Sequence, residues 1–161
     1  MPNIELDRTD YKILHYLQNS GRMSNAELAE AVGLSPSPCL RRVKALEQAG
    51  ILKQYVALVD AKSVGLPISI FVNVSLRSQE RANLLAFEEE VAVYEEVLEC
   101  YLMTGSFDYT MRVVVPDLDT YERFLAEKLT RIKGVANIQS SFTLKQVVYR
   151  TELPLAKASQ G

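Results

Sequence analysis

The chain has 161 residues, of which 48% are hydrophobic and 24% charged, and it carries two cysteines and a formal net charge of -2. This composition is typical of a core-forming globular protein and excludes a wholly disordered chain or a scaffold built on disulfides. Because no apolar stretch approaches the roughly 18 residues that a membrane-spanning helix needs, we expect a cytoplasmic protein.

The first predicted element is a helix that Asp7 caps at its start. Ile13, Leu14 and Leu17 follow at helical spacing and predict a stripe that packs into a core. The polar run at 19–21 is expected to end this helix, because it combines a turn-forming asparagine, a serine and a glycine.

Two further short helices are predicted directly after it. Ser24 and Glu27 have the spacing of a capping box and start a helix of about two turns. Gly33 makes a turn, after which Ser35 and Pro36 suit the cap and first position of a third helix. Two helices joined by a short glycine-containing turn form a helix-turn-helix, whose second helix lies in the DNA major groove.

The third predicted helix and its surroundings carry a local excess of positive charge. The segment 35–54 contains four basic residues against a single acidic one, Glu47. The four are Arg41, Arg42, Lys44 and Lys53. Free backbone N–H groups near Ser35 and Ser37 can bind a phosphate, and guanidinium groups fit guanine edges. From pattern alone, a packed helical hairpin without a nucleic-acid partner stays an open alternative.

The run from Leu28 to Ile51, with Gly33 and the stretch LSPSPCLRRVKALE inside it, resembles the helix-turn-helix signature of the Lrp/AsnC feast/famine regulators. The resemblance covers the whole motif and implies a transcription regulator that binds double-stranded DNA. Combined with the chemistry above, it yields a predicted set of DNA-contacting residues. These are Ser35, Ser37, Pro38, Arg41, Arg42 and Lys44.

Residues 51–59 are rich in β-branched and aromatic side chains and are interpreted as an extended connector. We place a domain boundary near residue 62. The expected organisation is a winged-type helix-turn-helix domain over 1–62 and a second domain over 63–161.

The second domain alternates strands and helices, and its fold class is predicted as α+β. Strands are expected at 67–76, 96–104, 107–115 and 135–145, and helices at 79–92 and 118–132. This β-α-β-β-α-β order is that of a ferredoxin-like sheet with both helices on one face.

Period-two alternation separates the two faces of this sheet. The residues expected on the helix-covered face are Ile68, Ile70, Val72, Val74, Leu76, Leu98, Cys100, Leu102, Met111, Val113, Val115, Ile138, Phe142 and Leu144. The opposite face carries Phe71, Tyr101, Met103 and Val114 among polar residues. A half-apolar face without cover is expected to pair with a second copy, so we predict a dimer at least and an oligomer of dimers by resemblance.

A candidate ligand site lies at the turn 104–109, which is expected to join the two central strands. Gly105 and Asp108 are explained by turn chemistry alone, but a carboxylate beside backbone donors also suits the two charges of an amino acid. The family resemblance favours the second interpretation and implies an amino-acid effector, leucine or methionine as a first choice. The implied effector-contacting residues are Gly105, Ser106, Asp108, Tyr109, Ser140 and Ser141, the two serines from the partner side.

An enzyme is not expected. His15 is the single histidine and lies within the first helix, where a structural role is favoured over a catalytic one. Cys39 and Cys100 fall in apolar periodic segments and are expected to be buried. The sequence indicates no catalytic residues, no metal site and no cofactor besides the effector. A chromosome-organising protein with weak sequence preference is the alternative function.

Overall fold

The computed structural model describes residues 5–155. They form two compact units: the chain up to Leu58 together with the segment from Val148 onward, and Val59–Val147. The predicted boundary near residue 62 stays a prediction, and residues 1–4 and 156–161 of the predicted domains lie outside the described residues. No helix among residues 5–155 is long and apolar enough to cross a membrane.

Three helices form the first unit: α1 (Arg8–Asn19), α2 (Asn25–Val32) and α3 (Pro36–Gln48). Local capping defines where they begin and end. Asp7 caps α1, and Ser24 and Glu27 form the predicted capping box, with Glu27 Oε2 accepting from the Ser24 backbone at 2.7 Å. Gly33 ends α2 in the left-handed region with φ 75°, which a glycine adopts without a steric penalty.

The core of the first unit is built from one stripe of each helix. Its buried members are Ile13, Leu14, Leu17, Leu28, Ala29, Val32, Cys39, Val43 and Leu46. The sequence left Cys39 and Leu40 as alternatives for one core position; Cys39 is fully buried, whereas Leu40 is 42% exposed. Leu40 therefore belongs to the outer face of α3.

The second unit contains a four-stranded antiparallel sheet. Its elements are β1 (Ile68–Leu76), α4 (Arg81–Ala92), β2 (Val97–Leu102), β3 (Tyr109–Val115), α5 (Leu118–Arg123) and β4 (Val135–Phe142). The helix predicted at 118–132 is α-helical only as far as Arg123. It continues as a π-helical turn over Phe124–Lys128 and a 3₁₀ turn over Leu129–Arg131. The strand order β2-β3-β1-β4 confirms the ferredoxin-like architecture.

Strand register assigns side chains to the two faces. Val72 in β1 lies opposite both Met111 in β3 and Ser140 in β4. Ser140 therefore faces the helices, whereas its neighbour Ser141, opposite Phe71, faces the open side. The buried cluster beneath the helices is Ile70, Val72, Val74, Leu76, Phe87, Val91, Tyr109, Met111, Val113, Val115, Tyr121, Phe124, Leu129 and Ile132.

The prediction of a covered core was wrong for strand β2. The three residues of β2 that alternation assigned to the helix-covered face are exposed: Leu98, Cys100 and Leu102. The physical reason is the strand order, because β2 is an edge strand, not one of the two central strands, and so has a neighbour on one side only. A register shift between Val97 and Glu99 also displaces Leu98 from regular alternation.

The final strand was also predicted too long. β4 ends at Phe142, which is half-exposed, and Leu144 beyond it is 100% exposed. On the opposite face Phe71, Tyr101 and Met103 are exposed as expected, but Val114 in central strand β3 is buried.

Candidate nucleic-acid interface and effector site

The outward face of α3 forms one candidate site. Side chains at helical spacing border a shallow depression of about 430 Å³. They are Ser37, Leu40, Arg41, Lys44, Ala45 and Gln48. Arg41 and Lys44 are both exposed, and within residues 5–155 neither pairs with a carboxylate. This face presents two free positive charges on a rigid helix.

The start of α3 offers few backbone donors. Ser35 occupies the cap position, but its side chain makes no capping hydrogen bond. Pro36 and Pro38 carry no N–H, so Ser35 and Ser37 supply the N–H groups at this end. The start of α3 therefore has fewer free N–H groups for a phosphate than a typical helix start. The two serines that carry them are both exposed.

Arg42 points away from the outward face of α3. Its Nη1 lies 2.8 Å from Asp7 Oδ2 and 2.8 Å from Asp10 Oδ1, both at the start of α1. The hydrogen bond to Asp10, then that to Asp7, raises the pKa of Arg42. The hydrogen bond from the Asp10 backbone, aided by Arg42, lowers the pKa of Asp7. The structure thus separates Arg42 from Arg41 and Lys44, with which the sequence grouped it.

A C-terminal segment lies against α1 in the first unit, a contact that sequence reasoning missed. Glu152 Oε1 lies 2.9 Å from His15 Nδ1, and the Leu153 backbone donates to Gln18 Oε1 at 2.7 Å. Leu155 packs against the helical core. The polar end of the chain carried no periodic pattern that could have predicted this contact.

The turn between β2 and β3 is held by hydrogen bonds to the buried carboxylate of Asp108. Asp108 is buried, and its Oδ2 accepts from the Leu76 backbone at 2.6 Å while its Oδ1 accepts from Gln79 Nε2 at 2.6 Å. Gly105, with φ 126°, and Ser106 are exposed at the tip. The carboxylate therefore holds the turn, and the tip is the part open to a ligand.

The other predicted effector residues divide into two groups. Tyr109 is buried, its hydroxyl donates to Glu88 Oε1 at 2.8 Å, and burial together with Glu88 raises its pKa. Ser140 is hydrogen-bonded to the Tyr121 hydroxyl. Since β4 and β2 are opposite edges of the sheet, Ser140 and Ser141 do not join the turn within one chain.

A groove between α4 and the edge strand β2 was not predicted. It has a volume of about 300 Å³, and Glu88, Cys100 and Tyr109 are among the residues that line it. Although Cys100 is exposed as a residue, its thiol borders this groove, and burial with help from Glu88 raises its pKa to about 11. Among residues 5–155 there is no cluster of three potential metal ligands.

Both parts of the chain match known protein families. A family model described as Lrp/AsnC ligand binding domain matches residues 69–153, and one described as winged helix-turn-helix DNA-binding matches residues 6–53. The Bkd operon transcriptional regulator of Pseudomonas aeruginosa is 46% identical over 151 residues, covering 94% of this chain and 99% of the relative. The leucine-responsive regulatory protein of Escherichia coli is 38% identical, covering 91% and 89%.

Two solved structures match this chain over more than nine-tenths of its length. A transcriptional regulator of Neisseria meningitidis, crystallised in complex with L-methionine, is 44% identical with a TM-score of 0.90, covering 96% of this chain and 99% of that one. Escherichia coli AsnC is 26% identical with a TM-score of 0.85, covering 92% and 99%.

Proposed function

Because the chain belongs to the Lrp/AsnC family of DNA-binding transcription regulators that respond to a ligand, we propose that α3 reads DNA and that the β2–β3 turn senses an amino acid. Membership in this family also confirms that the chain is a regulator and not an enzyme. We further propose that it acts in the cytoplasm, where a bacterial regulator meets the chromosome.

The unpaired outward face of α3 is the observation that carries the DNA-binding proposal. Arg41 and Lys44 are exposed and free of ion pairs among the described residues, so they can exchange counterions for phosphates. The first turn of α3 can approach the sugar-phosphate backbone of DNA closely. It contains Ser35, Ser37 and Pro38. We assign Arg41, like Lys44, to a phosphate of the duplex.

The proposed effector is an apolar amino acid, methionine or leucine. Two findings on relatives support this choice: a similar structure is a complex with L-methionine, and similar proteins are named leucine-responsive. Gly105 and Ser106 would present backbone and hydroxyl groups to the ligand's charged ends. Asp108 and Tyr109 would hold the turn in shape, and Ser140 and Ser141 would come from a neighbouring copy.

Self-association links the two proposed sites. Phe71, Tyr101 and Met103 leave the open sheet face partly apolar, and a second copy would cover it and supply a second α3 with two-fold symmetry. A ligand that favours one arrangement of dimers then changes how several α3 helices engage one duplex.

A thermal-shift screen with the twenty amino acids, combined with selection of bound duplexes from genomic fragments, tests this function. We expect methionine or leucine to raise the unfolding midpoint, since a ligand of the native state stabilises it, and a palindromic consensus to be enriched. Recovery of broadly A·T-rich fragments would favour the chromosome-organising alternative, and failure of both amino acids to shift the midpoint would contradict the effector proposal.

A further inference from the structure

We propose that Arg42 is a positioning residue for DNA recognition, which orients α3 by clamping it to the start of α1 and does not itself contact DNA. This inference rests on the proposed role of α3 in binding DNA. It assigns different tasks to two adjacent arginines that the sequence places in one basic patch.

The clamp uses both carboxylates of the α1 capping box. Asp7 Oδ1 accepts the backbone N–H groups of Thr9 at 2.8 Å and Asp10 at 2.9 Å, and Asp10 Oδ2 accepts the Asp7 N–H at 3.0 Å. The second oxygen of each carboxylate, Asp7 Oδ2 and Asp10 Oδ1, contacts Arg42 Nη1. Each acid therefore has one oxygen on the helix start and one on Arg42, which fixes all three side chains.

Charge makes this arginine a poor phosphate ligand. One guanidinium faces two carboxylates, so a phosphate approaching Arg42 would also meet Asp7 and Asp10, and the net local charge is negative. Asp10 is only 7% exposed, where Coulomb interactions are screened less than at the surface. Arg41 and Lys44 have no such neighbours among the ion pairs of residues 5–155.

Helix geometry separates the two arginines as well. Successive residues are rotated by about 100° around a helix axis, so Arg42 lies well away from the face that carries Arg41 and Lys44. Hydrophobic packing of Val43 and Leu46 holds α3 in the core but is non-directional. Charge-assisted hydrogen bonds are directional, so the clamp fixes how α3, whose buried stripe already sets its outward face, is oriented relative to the start of α1.

The first test compares Arg42→Met with Arg41→Met in the full-length chain. Fluorescence anisotropy is measured over a salt series with a duplex selected by the unaltered protein from a random pool and with an unselected duplex of equal length. For Arg41→Met, the slope of log affinity against log salt should fall by about 0.9. For Arg42→Met, the slope should stay unchanged while preference for the selected duplex falls roughly tenfold, the scale of losing one base contact when α3 is misoriented.

The second test is Asp10→Asn, which keeps an oxygen to accept the Asp7 N–H. Removing a negative charge should strengthen DNA binding if only net charge mattered, whereas the clamp predicts weaker binding to the selected duplex. Stronger binding by Asp10→Asn, or a loss of slope in Arg42→Met like that in Arg41→Met, would overturn the proposal.

Two further outcomes can be told apart from a positioning role of Arg42. If Arg42→Met lowers only the unfolding temperature, and the folded variant still discriminates between the duplexes as before, Arg42 is merely structural and the positioning role is excluded. If the unaltered chain binds neither duplex at low salt, the proposed function itself fails, independently of the clamp.

Discussion

The side chain of Asp108 accepts a hydrogen bond from the backbone N–H of Leu76 at 2.6 Å. This bond ties the β2–β3 turn to the end of strand β1, and Gln79 reinforces it from the following loop. The shape of the proposed effector turn therefore depends on a buried carboxylate that a ligand need not touch.

Asp108→Ala should lower the free energy of unfolding by about 1–3 kcal/mol, because the buried N–H of Leu76 loses its partner. Urea denaturation followed by circular dichroism measures this change. Ser106→Ala, at the exposed tip, is the matched control and should leave stability unaltered while weakening the amino-acid response. Equal stability of Asp108→Ala and the unaltered chain would show that the bond contributes nothing.

Arg41→Ala and Lys44→Ala should each weaken DNA binding at low salt and reduce the salt slope by about 0.9, since each releases one counterion fewer. Gln48→Ala provides the control, because Gln48 borders the same depression on α3 without a charge. Anisotropy titrations at several salt concentrations give the slopes. A slope that is insensitive to both substitutions would remove the outward face of α3 from the interface.

Cys100 should react slowly with iodoacetamide. Its pKa is raised from 9.0 to about 11, so at neutral pH the thiolate fraction is about a hundredfold below that of a free cysteine, partly offset by higher thiolate nucleophilicity. The rate should rise with pH until about 11, and Glu88→Gln should accelerate it by removing a nearby negative charge. Mass spectrometry follows the labelling.

Cys100→Ser supplies the control for that experiment, because the remaining Cys39 lies in the helical core and should be labelled only on unfolding. Labelling of Cys100 at the rate of a free cysteine, with no effect of Glu88→Gln, would contradict the placement of its thiol in the groove.

Leu155→Ala should destabilise the first unit by about 1 kcal/mol, the scale of losing a few buried methylene groups. Leu155 packs on the helical core, whereas Leu153, two residues earlier, is 65% exposed, so Leu153→Ala is the matched control. Thermal unfolding monitored by fluorescence or calorimetry compares the two. Identical midpoints for both variants would mean that the C-terminal segment does not stabilise α1–α3.

The features that the sequence predicted correctly are specified by near neighbours in the chain. The capping box of Ser24 and Glu27, the cap at Asp7 and the turn at Gly33 depend on residues at most four positions apart, and helical periodicity then selects the core stripe. The ferredoxin-like sheet followed from the predicted order of strands and helices along the chain. These local signals are sufficient for the element order and for most of the buried positions.

The features that were missed depend on contacts between distant residues. Arg42 binds Asp10, which lies 32 positions earlier in the chain. The basic patch in the sequence therefore does not show that Arg42 and Arg41 have different partners. Cys100 has the alternation of a core residue, but its exposure follows from the edge position of β2. The hydrogen bond of Asp108 likewise depends on Leu76, which lies 32 positions earlier in the chain, at the end of the neighbouring strand β1.

Anisotropy titration of a selected duplex with the full-length chain, with and without methionine or leucine, tests most directly whether ligand sensing and DNA binding are coupled. We predict that at least one of the two shifts the apparent dissociation constant by about fivefold or more, and that the shift is reduced in Ser106→Ala. Tight, salt-dependent binding that neither amino acid alters would contradict the account.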